Sequence, residues 1–117
     1  MKNNIVQEKS YSFAIRVVKL YKYLIENQKE FILSKQILRS GTSIGANIEE
    51  AIGGQSKKDF LSKISIAYKE ARETSYWLRI LKDSNYLKLK QFESIFSDLE
   101  EIQKILIKII KTTKNNN

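Results

Sequence analysis

No proline interrupts the 117 residues, and the chain has only four glycines. Proline removes a backbone donor and clashes inside a helix, and glycine weakens one, so their scarcity favours long uninterrupted helices. The apolar periodicity marks four of them. In residues 7–27 two adjacent rows, Tyr11/Ala14/Val18/Tyr21/Ile25 and Phe13/Val17/Leu20/Leu24, recur at steps of three and four, with Ser12, Arg16, Lys19, Lys22 and Glu26 opposite. Residues 33–52 carry Ile37/Gly41/Ile44/Ile48/Ala51, residues 56–82 carry Phe60/Ile64/Ala67/Ala71/Thr74/Leu78/Leu81, and residues 88–112 carry Phe92/Ile95/Leu99/Ile102/Leu106/Ile109. These rows are the expected core.

Local signals set the ends. The polar run Glu26–Glu30 and the turn residues Asp83-Ser84-Asn85 make connections, Ser56 caps the third helix with Asp59 in position to reach back, and Gly53-Gly54 predicts a left-handed stop to the second. The stretch Ser40-Gly41-Thr42-Ser43-Ile44-Gly45 reads either as helix, whose small residues admit a close neighbour, or as a phosphate loop. It lacks the Gly-Lys-Ser/Thr ending that such a loop requires. Four helices of similar length with short links predict a single all-α domain over residues 1–117, an antiparallel up-down-up-down four-helix bundle, with a disordered tail at 113–117. In its second half the last helix leaves only Lys104, Lys108 and Lys111 polar, which points to burial against a partner.

Composition narrows the chemistry. With 42% apolar and 29% charged residues the chain is that of a globular protein. It has no cysteine and no histidine, which removes disulfides, thiolate zinc sites, cysteine nucleophiles, Ser-His-Asp triads and imidazole bases. Carboxylate, Lys, Tyr or Ser/Thr chemistry is left, so a non-enzymatic module without cofactor or metal is expected. No run of about 20 apolar residues and no leader core precede the first charges, so no membrane association and a cytoplasmic location are expected.

Three kinds of residue are candidates for function. The pairs Glu49/Glu50 and Glu70/Glu73, if apposed, could hold Mg²⁺ or act as acid and base, although ion pairs with Arg39, Lys69 or Arg72 are the commoner fate of such carboxylates. The row Ser40/Ser43/Asn47/Glu50 is either a recognition strip or a set of inter-helix hydrogen bonds. Most informative are the cations: Lys69, Arg72 and Arg79 with Tyr76 among them on the third helix, Arg16, Lys19 and Lys22 on the first, and Lys104, Lys108 and Lys111 on the fourth. With 21 Lys and Arg against 13 Asp and Glu the net charge is +8, and such rows suit a polyanion, with Tyr76 or Trp77 available to stack on an unpaired base. Trp77 adjoins the core row, so packing is its simpler role.

The blocks Gln36-Ile37-Leu38-Arg39-Ser40 and Ser43-Ile44-Gly45-Ala46-Asn47-Ile48-Glu49-Glu50, followed by Ser56-Lys57-Lys58-Asp59-Phe60 and by Ile66 to Leu78, resemble the bacterial four-helix-bundle proteins known as 23S rRNA intervening-sequence proteins. That family also includes the accessory variability determinant of diversity-generating retroelements. Glu49 stands where Ala is usual and Ala51 where Gly is usual, which lets the second helix run on to Gly53. The resemblance implies a barrel-shaped homopentamer, of net charge about +40. For the retroelement member it implies binding of RNA or DNA and of a reverse transcriptase; a scaffold for such a protein partner is the alternative role. The matching positions Arg39, Ser40, Ser43, Asn47, Glu50 and Glu73 are thereby assigned structural or interface roles, and no catalytic residue is implied.

Overall fold

The structure, a computed structural model, describes residues 4–116. Four helices account for nearly all of it: α1 (Asn4–Glu26), α2 (Leu33–Ile52), α3 (Lys57–Asp83) and α4 (Leu89–Asn115). Each packs on its sequence neighbours and α1 packs on α4, while the diagonal pairs have no close backbone approach. The result is a four-helix bundle measuring 48 × 21 × 20 Å, little longer than α4 itself at about 1.5 Å per residue. No helix among the described residues is long and apolar enough to cross a membrane.

The predicted rows of α2, α3 and α4 form the core. Ile37, Ile44, Ile48, Ile64, Leu78, Leu81, Leu99, Ile102 and Leu106 are all fully buried. Each such side chain stabilises the fold by about 1.5–3 kcal/mol. Phe60 and Ile109, at the ends of their rows, are only half-buried. On α1 only one of the two expected rows is core: Phe13, Val17 and Leu24 are buried, whereas Tyr11 is 66% exposed and the rest of its row is partly open. A helix in a bundle of four buries little more than the arc facing its two neighbours, so the second row has nothing left to cover it.

The small residues of α2 sit where the chain comes closest to α1. Gly41 faces fully buried Val17, and a β-carbon at that position would lie 2.7 Å and 2.8 Å from the two Val17 methyls. Gly45 meets the Ser10 backbone at an ordinary 3.4 Å. The segment 40–45 is continuous helix and not a phosphate loop.

Three helix ends differ from expectation. α1 begins at Asn4, one turn early, because Val6 extends the Phe13/Val17 face and is itself buried. The tail expected to be disordered is helical to Asn115, with Lys114 in the last turn and the Lys57 ammonium donating to the Asn116 carbonyl; residue 117 lies outside the described residues. Gly53 ends α2 with φ −82°, not left-handed, its N–H reaching the Glu49 carbonyl at 3.2 Å. Positive φ instead falls on Asn85, in the expected turn, and on Lys29. Ser56 caps α3 as expected, accepting from the Asp59 N–H at 3.0 Å.

The α1–α2 connection contains a cap that the sequence did not advertise. The buried Glu30 carboxylate accepts from the N–H groups of Ile32, Leu33 and Ser34 at 3.1, 3.0 and 2.7 Å, covering the donors that open α2. Burial is the largest single influence on its pKa and pushes it up. The three backbone donors together outweigh it, and the carboxyl ends below its ordinary value. The adjacent Ser34 hydroxyl, buried without a hydrogen bond of good geometry, pulls in the same direction.

Candidate functional site

The core row of α3 turns Ile64, Ala67, Ala71, Thr74 and Leu78 inward. Residues one and two positions away then fall on the helix flanks, and those facing α4 border an open groove of about 630 Å³. Half-buried Tyr68, Ser75, Gln103 and Ile107 lie along its floor. Lys69, Arg72, Arg79 and Lys104 stand exposed on its walls. The α3–α4 seam therefore gathers four of the cations proposed from sequence, together with Tyr76.

Tyr76 is 50% exposed and held from two sides. Its ring meets that of Trp77 edge-on at 5.1 Å and 68°, and the Arg79 guanidinium lies 5.9 Å from its centroid. Trp77 packs against the core and donates its indole N–H to Glu73 at 2.9 Å. Glu73 in turn pairs with Arg39 of α2, whose other nitrogen reaches Glu70 at 3.3 Å. A chain of contacts from α2 through Glu73 and Trp77 thus fixes the aromatic ring at the groove wall.

The electrostatics separate this groove from the rest of the surface. Among the described residues Lys69, Arg72, Arg79 and Lys104 have no carboxylate within ion-pair distance. Glu73 pairs with Arg39, so among the described residues Glu100 is the one carboxylate lining the groove without an ion-pair partner. Elsewhere the seams are laced with pairs: Lys9 with Glu101 at 3.1 Å, and Lys63 with Glu50 at 2.8 Å.

The other proposed cations do not join the site. Arg16 is committed to the α1–α4 seam, donating to Asp98 at 2.7 Å and to the Ser94 hydroxyl and carbonyl at 2.9 and 3.2 Å. Lys19 borders a smaller groove beside it, and Lys22 is exposed. Of the α4 row only Lys104 lines the groove that holds Tyr76. Lys108 edges a mainly apolar depression with Ile5, Phe60, Ile105 and Ile109, and Lys111 stands in solvent.

The motif row divides. Ser40 lies fully buried with its hydroxyl 3.0 Å from that of Thr74, so Ser40, Arg39 and Glu50 tie α2 to α3. Ser43 and Asn47 bond within α2, donating to the Arg39 and Ser43 carbonyls at 2.6 and 2.8 Å. The carboxylate pairs are not apposed as metal ligands: Glu49 accepts from Gln7, Glu50 pairs with Lys63, and Glu70 and Glu73 pair with Arg39. Among the described residues no three carboxylates gather where a metal ion would sit. The sequence does not mark two structural residues, Glu30 and Asp98. Glutamate is not a usual cap, and nothing in one sequence pairs Asp98 with Arg16 across 82 positions.

A chain of this fold has known relatives. Among curated proteins none matches it. A crystal structure of a protein of unknown function from the S23 ribosomal protein family of Bacteroides thetaiotaomicron is similar to it at 58% identity, covering 95% of this chain and 99% of that one with a TM-score of 0.93. The family profile described as 23S rRNA-intervening sequence protein matches residues 2–108, essentially the four-helix core just described. The bundle, the motif blocks and these matches agree, and the chain belongs to the 23S rRNA-intervening sequence protein family.

Proposed function

We propose that the protein is a non-enzymatic nucleic-acid-binding module whose phosphate contacts come from the α3–α4 groove. One observation carries this reading: four cations without carboxylate partners among the described residues border a single groove, whereas Lys9, Arg16 and Lys63 on the other seams are paired. Arg and Lys that meet phosphates release condensed counterions, which supplies affinity with little sequence preference. Assembly into a homo-oligomer would multiply the contacts. Exposed Tyr11 and Ile15 on α1 and the apolar depression beside Lys108 support such assembly.

The salt dependence of binding tests the groove. Four phosphate contacts on a single strand predict a slope of about −2.8 in log affinity against log salt, or roughly a 50-fold loss between 50 and 200 mM. Replacing Lys69, Arg72 and Arg79 with Gln leaves Lys104 and should flatten the slope to about −0.7, roughly a threefold loss. Anisotropy titrations of a labelled RNA or DNA 20-mer measure both. A triple variant that binds with unchanged affinity and slope refutes the groove as the site.

A further inference from the structure

Resting on that reading, we infer that the groove selects unpaired over paired nucleic acid, with Tyr76 as the stacking platform for one base. Four features of the site lead there. The Tyr76 ring is half-exposed, yet fixed by Trp77 at 5.1 Å, which is itself anchored through Glu73, so stacking costs little further side-chain freedom. The Arg79 guanidinium lies 5.9 Å from the ring centroid, so a base that stacks on Tyr76 brings its own phosphate within reach of that cation. The groove, at about 630 Å³, has the volume of a pocket for a small planar group, and Tyr68 and Ile107 lend its floor apolar surface.

The fourth feature is the carboxylate of Glu100 on the groove wall. It repels a phosphate but accepts from the amino groups on the edge of an unpaired base. The cations on the walls and the acid and aromatic beside them therefore favour a ligand that turns its phosphates outward and its base inward. A single strand does this freely. A duplex keeps its bases stacked on one another and presents phosphates first, so it can use the wall cations but not Tyr76 or Glu100.

The test compares one 12-nucleotide RNA strand of mixed sequence with the same strand in a perfect duplex, at fixed salt, on the full chain. Wild-type protein is expected to prefer the single strand by about 5- to 150-fold, the range that one aromatic stack supplies. Tyr76→Ala should remove most of that preference by weakening single-strand binding, with duplex binding unchanged, and Tyr76→Phe should retain it. The ring is half-exposed, and an unchanged circular dichroism melt verifies that the Ala variant folds. Equal binding of strand and duplex by wild type, or a Tyr76→Ala variant that keeps the preference or weakens both ligands alike, overturns the inference. The Lys69, Arg72 and Arg79 triple variant separates the two levels. Loss of binding there with Tyr76→Ala unaffected refutes the base platform alone, whereas unchanged binding in the triple variant refutes the groove itself.

Discussion

Substituting Gly41 with Ala tests how the bundle is held together. Elsewhere in a helix this change is stabilising by about 0.8–1 kcal/mol, because alanine is the better helix former. Here the new methyl would meet the Val17 side-chain methyls at 2.7 and 2.8 Å, about 1 Å inside ordinary contact. Val17 is fully buried and β-branched, with one strongly preferred rotamer in a helix, so it cannot swing aside. α1 and α2 must separate instead, and overpacking of that kind costs about 1–3 kcal/mol. Subtracting the gain in propensity leaves a net loss of about 1 kcal/mol. With an unfolding entropy of about 2.1 cal/mol/K per residue, that lowers the Tm of a chain this long by about 4 °C. Gly45, four residues on, provides the control: a methyl there would sit 3.4 Å from the Ser10 backbone, so Gly45→Ala should raise the Tm by up to about 4 °C. Thermal melts followed by circular dichroism measure both, and Val17→Ala combined with Gly41→Ala should show a favourable coupling of about 1 kcal/mol or more. Equal stabilisation by the two alanines would refute the close-approach argument.

Three further expectations follow from the same structure. Glu30→Gln should lower stability at pH 7 by about 1 kcal/mol, the usual worth of a helix cap. The Glu30 pKa is depressed in the folded chain, so its contribution is full above the ordinary glutamate range and lost as pH falls through the folded value. The gap between wild type and variant should therefore narrow in melts taken at successively lower pH below the ordinary glutamate range, and a gap independent of pH contradicts this. Thr74→Val leaves the fully buried Ser40 hydroxyl without its partner and should cost about 1–3 kcal/mol in denaturant unfolding, most of it recovered when Ser40→Ala is added; additive losses would argue against the pair. Light scattering at micromolar concentration should give a mass well above 13.7 kDa, and a monomer at that mass removes the assembly part of the proposal.

The legible parts of the fold were those governed by local chemistry. Ser56 announced α3 by being a hydroxyl three residues before Asp59, and Asn85 announced a turn by tolerating a left-handed backbone. Glu30 announced nothing. Its carboxylate acts as a cap only because the chain between Asn27 and Ile32 folds back over the start of α2, which no spacing encodes. The site shows the same division. Lys69, Arg72, Tyr76 and Arg79 share a face by helical spacing alone, but which neighbour they face, and that Lys104 joins them while Arg16 does not, depends on α4 packing against that face.

By itself, then, the order of residues determined four helices, the inward rows of three of them, an all-α bundle and a basic surface, because helix periodicity, capping and charge are properties of neighbours along the chain. Only the tertiary structure decided which cations remain free. A charge is neutralised by whatever lies within a few ångströms of it, and the partners of Arg16 and Arg39 come from helices 82 and 31 or more positions away. That pairing leaves an uncommitted cationic groove along the α3–α4 seam, with Tyr76 at its wall.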